Sequence, residues 1–66
     1  MDKEEYEGLK AKFLKLFASV PFPLRDEIIA MADNQPFSWS AAYGEIKHDT
    51  DKAQIILRHL KQIGLL

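Results

Sequence analysis

The last eighteen residues of the chain, DTDKAQIILRHLKQIGLL (residues 49–66), decide the predicted fold. Apolar side chains recur in this stretch every three or four residues, the spacing of one face of an α-helix, at Ala53, Ile56, Leu57, Leu60 and Ile63. Gly64 follows the last of them, as is typical of a helix C-terminus. The stretch opens on polar residues that favour a helix start, with Asp49 or Thr50 as the N-cap and Asp51 in the first turn. We therefore predict an amphipathic helix over 51–63.

The first part of the chain predicts a longer amphipathic helix over 3–19. Asp2 and Glu5 have the spacing of a capping box, with Asp in place of the usual Ser or Thr. The apolar stripe of this helix, at about 100° per residue, is formed by Tyr6, Leu9, Phe13, Leu16, Phe17 and Val20. Pro21-Phe22-Pro23 ends the helix, because proline cannot continue it.

The middle of the chain predicts two shorter helices. The stretch LRDEIIAMAD (residues 24–33) has two acids in its first turn and an inward side formed by Leu24, Ile28, Met31 and Ala32. Asn34-Gln35-Pro36 indicates a turn. Ser38 is the predicted N-cap of a short helix over 39–47.

These patterns predict an all-α fold, a compact four-helix domain with no strand. The N-terminal helix (1–20) packs across a helix-turn-helix core (24–66). We expect eight apolar residues to be buried together: Leu9, Phe13, Phe17, Ile28, Trp39, Ile46, Leu57 and Leu60.

Composition excludes several functions. A chain of 66 residues is a single domain near the lower size limit for an unassisted hydrophobic core. It contains no cysteine, and its apolar runs are too short for a membrane span. Met1 is followed by charged residues rather than an apolar segment, so we expect a cytoplasmic protein without a secretory signal.

No sequence feature indicates catalysis, a metal or a cofactor. There is no glycine-rich phosphate loop, and four short helices leave little volume for a substrate pocket. His48 and His59 lie eleven residues apart, which is not the spacing of a strong metal motif. We therefore predict a protein that is not an enzyme.

The order of the later elements resembles the helix-turn-helix of the winged-helix DNA-binding superfamily. Phe37-Ser38 stand where those proteins place an apolar residue and a capping hydroxyl, and QIILRHLKQIGLL is similar to the end of their recognition helix. The β-hairpin wing of those proteins has no counterpart before Leu66. The resemblance implies a transcription-regulator-like domain that binds double-stranded DNA with the helix over 51–63.

Helical spacing gives the face that such a reading helix would turn to DNA. The candidate residues are Lys47, Lys52, Gln54, Ile55, Arg58, His59, Lys61 and Gln62. The same residues are also typical of an ordinary solvated helix face. The charge of the chain predicts weak DNA binding by this chain alone, because it has nine Lys and Arg against ten Asp and Glu and therefore no excess of positive charge. Asp49 and Asp51 would also repel phosphates.

The alternative function is a protein-interaction module on the same fold. Ile55 lies about 160–200° from the apolar stripe, where a polar residue is expected. Either the first helix covers this side chain, or it marks a surface for a protein partner or for a second copy of the chain.

Overall fold

The computed structural model describes all residues, 1–66, and corrects the all-α prediction to a small α+β fold. The fold consists of three helices and a two-stranded antiparallel sheet, one face of which is covered by helices. In chain order the elements are α1 (Lys3–Ala18), a 3₁₀ turn (Phe22–Leu24), β1 (Ile28–Ala32), β2 (Gln35–Ser38), α2 (Trp39–Lys47) and α3 (Asp51–Gln62). The predicted four-helix domain is wrong because residues 28–38 form a β-hairpin where we expected the end of a helix and a turn.

The hairpin forms because its turn residues accept a left-handed backbone. Asp33 and Asn34 have φ angles of 51° and 63°, and positive φ at both central residues defines the type I′ turn of a two-residue hairpin. Asp and Asn tolerate this conformation better than other non-glycine residues. Pro36 pairs with Met31 next to the closing pair of the turn, where antiparallel pairing does not require its missing N–H.

The two faces of the hairpin differ in burial. Ala30, Ala32 and Phe37 are buried against the helices. A bulge between Ile28 and Ala30 places Ile28 opposite Ser38, while Met31 lies opposite Pro36, so Ile28 and Met31 share the outer face. Ile28 is 58% exposed. Its predicted place in the core is therefore wrong, because the bulge breaks the alternation that buries Ala30 and Ala32 and turns Ile28 to the other face.

The three helices have the bounds that periodicity and capping residues predict, to within one residue. The Asp2 carboxylate accepts a hydrogen bond from the Glu5 N–H at 2.7 Å. The Ser38 hydroxyl accepts one from the Ala41 N–H at 3.1 Å. Gly64 follows α3 with a φ of 84°, a conformation that glycine adopts without strain.

A single hydrophobic core joins the helices and the hairpin. Its buried members are Leu9, Phe13, Phe17, Ala30, Ala32, Phe37, Ala42, Ile46, Ala53, Ile56, Leu57 and Leu60. Six of the eight predicted core residues are among them, Trp39 is half-buried against the cluster, and Ile28 lies outside it. The small side chains of Ala30 and Ala32 let α3 approach β1 closely.

An aromatic cluster covers one end of this core. The Phe17 and Tyr43 rings stack with centroids 4.4 Å apart, and the Phe13 ring lies 5.9 Å from Trp39. The Arg25 guanidinium sits 4.5 Å from the centre of the Phe17 ring, a cation–π geometry. Aromatic contacts therefore tie α1 to α2.

None of the three helices combines the length and apolar character needed to cross a membrane.

Candidate nucleic-acid interface

Helices α2 and α3 are consecutive and are joined by the three residues 48–50. Asp49 makes the turn with a φ of 53°. Thr50 donates its hydroxyl to the Glu45 carboxylate at 2.6 Å, and its N–H donates to the Glu45 carbonyl at 3.1 Å. These bonds hold the start of α3 against the last turn of α2. The only other α-helix of the fold is α1. The predicted helix over residues 24–33 does not form, since residues 28–32 are strand β1.

The buried side of α3 determines which residues face outward. Ala53, Ile56, Leu57 and Leu60 are completely buried. At about 100° per residue, the opposite side carries Asp51, Ile55, Arg58 and Gln62, with Gln54 beside them. All five are exposed, and none of their side chains makes a hydrogen bond or an ion pair within the chain. This outward face of α3 is therefore free to contact another molecule.

Two of the lysines predicted to contact DNA lie at opposite margins of the outward face. Each is bonded to a neighbouring element of the fold. Lys61 forms an ion pair with Glu5 of α1. Lys52 donates to the Gln35 side chain of the hairpin at 2.5 Å and lies 5.7 Å from the Phe37 ring centre. The two lysines are nine residues apart, hence about 180° apart around the helix. Each therefore links α3 to one flanking element.

The other two predicted residues lie at the edge of the site. His59 is half-buried on the hairpin-side margin of α3, and its imidazole makes no hydrogen bond. Lys47 is at the end of α2, where its ammonium lies 5.7 Å from the centre of the Tyr43 ring. The predicted residues of α3 thus lie on its outward face or at the margins of that face, and Lys47 lies at the end of α2.

Asp49 has a different role from the helix cap that its position suggested. Its carboxylate accepts hydrogen bonds from the Tyr6 hydroxyl at 2.6 Å and from the Lys10 ammonium at 2.7 Å. The bonds from Lys10 and then Tyr6 hold the pKa of Asp49 below its usual value. Burial, followed by the bond to Asp49, raises the pKa of Tyr6 to about 12. Asp49 therefore docks α1 onto the turn before α3, and Thr50 occupies the N-cap position without a capping bond from its own side chain.

Ile55 is the apolar exception on this face. It is 38% exposed, so α1 does not cover it. A large aliphatic side chain at the centre of a polar helix face suits contact with an apolar group, such as a methyl group in a DNA groove or a protein surface.

Sequence reasoning missed a second exposed apolar region. Phe22, on the 3₁₀ turn, is 80% exposed, and Leu24 is exposed beside it. Ile28 and Met31 add the outer face of the hairpin. For Ile28 and Met31, the sequence signal that could have predicted exposure was the Asp33-Asn34 pair between β-branched and apolar residues. This pair favours a hairpin over a continued helix.

Comparisons with known proteins add no assignment. No protein-family model matches the chain, and neither a curated protein nor a solved structure does. Within the chain, no group of three or more histidine and acidic side chains is arranged to hold a metal ion.

Proposed function

We propose that this domain binds double-stranded DNA in the cytoplasm by placing α3 in the major groove. The observation that carries the proposal is the free outward face of α3, with its polar side chains unpaired. A recognition helix contacts base edges through such side chains, while residues at its margins contact phosphates.

The chemistry of the face supports a role for each residue. Arg58 suits guanine, Gln54 and Gln62 suit adenine, and Ile55 suits the methyl group of thymine. A second group of four residues would contact the backbone from the margins: Lys47, Lys52, His59 and Lys61. The opposite positions of Lys52 and Lys61 suit the two phosphate walls of one groove.

Charge makes the proposed binding weak. Neutralised phosphates supply much of the affinity of a DNA-binding domain, and this chain has a net charge of −1. Asp51 is exposed on the same face as Arg58 and has no partner to neutralise it. By contrast, the Asp49 charge is already compensated by Lys10 at 2.7 Å. Asp51 is therefore the acid that limits DNA binding.

The test is a titration of the protein with unlabelled duplex DNA, followed by amide chemical shifts at two salt concentrations. We expect shift changes on α3 that weaken as salt rises. Arg58→Ala should weaken binding by about 1–3 kcal/mol, and Lys61→Ala should lower the salt slope by about one unit. Lys15→Ala is the matched control, since it removes one exposed and unpaired lysine from the second half of α1, away from the Glu5–Lys61 pair.

Changing the charge of Asp51 gives a second test of duplex DNA binding. Asp51→Lys should tighten duplex binding, because it removes a negative charge beside the phosphates and adds a positive one. Asp51→Asn should give a smaller gain in the same direction. If duplex binding stays undetectable near physiological salt even with Asp51→Lys, α3 is not a DNA-reading helix.

A protein-interaction module on the same helix is the second candidate, and exposed Ile55 favours it. A protein-docking face would leave the amide shifts of α3 unchanged throughout the DNA titration. Docking through Ile55, including self-association, would be abolished by Ile55→Glu, which leaves the buried side of α3 intact.

A further inference from the structure

The most exposed large apolar side chain in the chain is Phe22. It is 80% exposed on the 3₁₀ turn after α1. Its one recorded aromatic or cation–π contact is with the Arg25 guanidinium, 5.7 Å from the ring centre. Two exposed acids, Asp26 and Glu27, follow Arg25 in the chain, and neither takes part in an ion pair. The surface is thus an aromatic side chain on a segment with net negative charge, since the two acids outnumber Arg25, whose guanidinium lies closer to the Phe17 ring.

An open groove of about 350 Å³ has the complementary character. It lies between the second half of α1 and the end of the chain, and is lined by Lys12, Lys15, Leu16, Ser19, Leu65 and Leu66. Leucines supply its apolar surface. The two lysines are exposed and form no ion pair. The groove therefore offers an apolar floor with a positively charged rim.

The contacts of Phe22 and the groove lie on different sides of α1. Arg25, which contacts Phe22, rests on the Phe17 ring. Phe17 and Ser19 are two residues apart, so they point about 160° apart around the helix, and Ser19 lines the groove. The Phe17 ring and the Arg25 guanidinium that contacts Phe22 therefore lie on the side of α1 away from Ser19.

We propose that Phe22 of one copy docks into the groove of a second copy, with Asp26 and Glu27 facing Lys12 and Lys15. The occupant follows from charge complementarity, because the unpaired acids beside Phe22 match the unpaired lysines beside the groove. Two copies that met through their Phe22 surfaces would instead bring like charges together. The contact is head-to-tail, so each copy keeps one free surface of each kind.

The size of the contact sets its strength. One aromatic side chain with two exposed charge pairs buries far less than the roughly 1,200 Å² of a standard stable interface. Exposed charge pairs are also screened by salt. The association is therefore weak, with a dissociation constant on the order of 1 mM, and it is strongest at low ionic strength.

Sedimentation and amide shifts across a dilution series up to about 1 mM, at low salt, test this association. The parent should show concentration-dependent changes at Phe22 and along the groove, reduced when salt is added. Phe22→Ala and Lys15→Glu should each remain monomeric. Met31→Ala, which removes an exposed apolar side chain from the outer face of the hairpin, should associate as the parent does.

Mixing the Phe22→Ala and Lys15→Glu variants tests the head-to-tail arrangement of the two copies. Phe22→Ala keeps an intact groove, and Lys15→Glu keeps an intact Phe22. An equimolar mixture should therefore form a one-to-one complex although neither variant associates alone. A monomeric parent at about 1 mM, a mixture that stays monomeric, or parent-like association of Phe22→Ala would each overturn the proposal. DNA binding is separate, since Phe22→Ala leaves the outward face of α3 unchanged.

Discussion

Phe13→Ala is the sharpest test of the core that supports both proposed surfaces. Phe13 has no exposed surface, and its ring lies 6.1 Å from Phe17 and 5.9 Å from Trp39, centroid to centroid. Truncating a buried phenylalanine costs about 3–5 kcal/mol, which includes its lost aromatic contacts. A 66-residue domain has a total stability of only about 3–10 kcal/mol. We therefore expect Phe13→Ala to fold marginally or not at all.

The measurement is urea denaturation followed by far-ultraviolet circular dichroism at low protein concentration. With a slope of about 1 kcal/mol per molar urea for a domain of this size, the midpoint should fall by about 3 M or more. Phe22→Ala is the matched control, since the same truncation at an exposed site should change stability by less than about 0.5 kcal/mol. Phe13→Leu keeps most of the volume and should cost about 1–2 kcal/mol. A Phe13→Ala midpoint within about 1 M of the parent would refute the packing described above.

Three further predictions test the hairpin and the turn before α3. Asn34→Ala should destabilise the fold by about 1–2 kcal/mol because of its positive φ, whereas Asn34→Gly should be neutral or stabilising in thermal melts. Ile28→Glu should cost less than about 1 kcal/mol on the outer face of the hairpin, while a cost above 3 kcal/mol would favour a buried helix instead. Asp49 has a folded-state pKa below its ordinary 3.8, so its contribution is complete above that pH and is lost as pH falls through the lowered value. Urea midpoints measured from pH 6 to 2 should therefore fall less in Asp49→Asn than in the parent.

The parts of the fold that were predictable are those decided by local sequence. The 3.6-residue apolar spacing and the capping residues Asp2 and Ser38 predicted the bounds of all three helices to within one residue. The hairpin was missed because Leu24, Ile28 and Met31 also fit a helical spacing. In addition, two acids follow Leu24, where they suit the first turn of a helix. Tertiary context decides such a stretch, since alternate alanines allow close packing of β1 on the helices while two left-handed residues reverse the chain.

Part of the candidate site was likewise predictable from local sequence, and part was not. Helical spacing alone predicted the outward residues of α3, because the buried stripe determines the opposite side. The partners of Lys61 and Asp49 were not predictable from spacing, since Glu5 and Tyr6 lie 56 and 43 residues away in the chain. Such contacts depend on how α1 crosses the other helices.

Asp49 and Asp51 show why the fold and the function of this chain must be tested separately. Both acids flank the start of α3, but Asp49 is bonded to α1 and supports the arrangement of the helices. Asp51 makes no such bond and contributes through the helix dipole alone, which is worth about 0.3–1 kcal/mol. Changes at Asp51 therefore alter the charge of the outward face at little cost in stability, whereas changes at Asp49 remove the bonds that hold α1 to the turn before α3. A loss of DNA binding in an Asp49 variant would for this reason not identify a recognition residue. A gain in Asp51→Lys that exceeds the gain from the same substitution at an exposed acid elsewhere would place the start of α3 beside the phosphates.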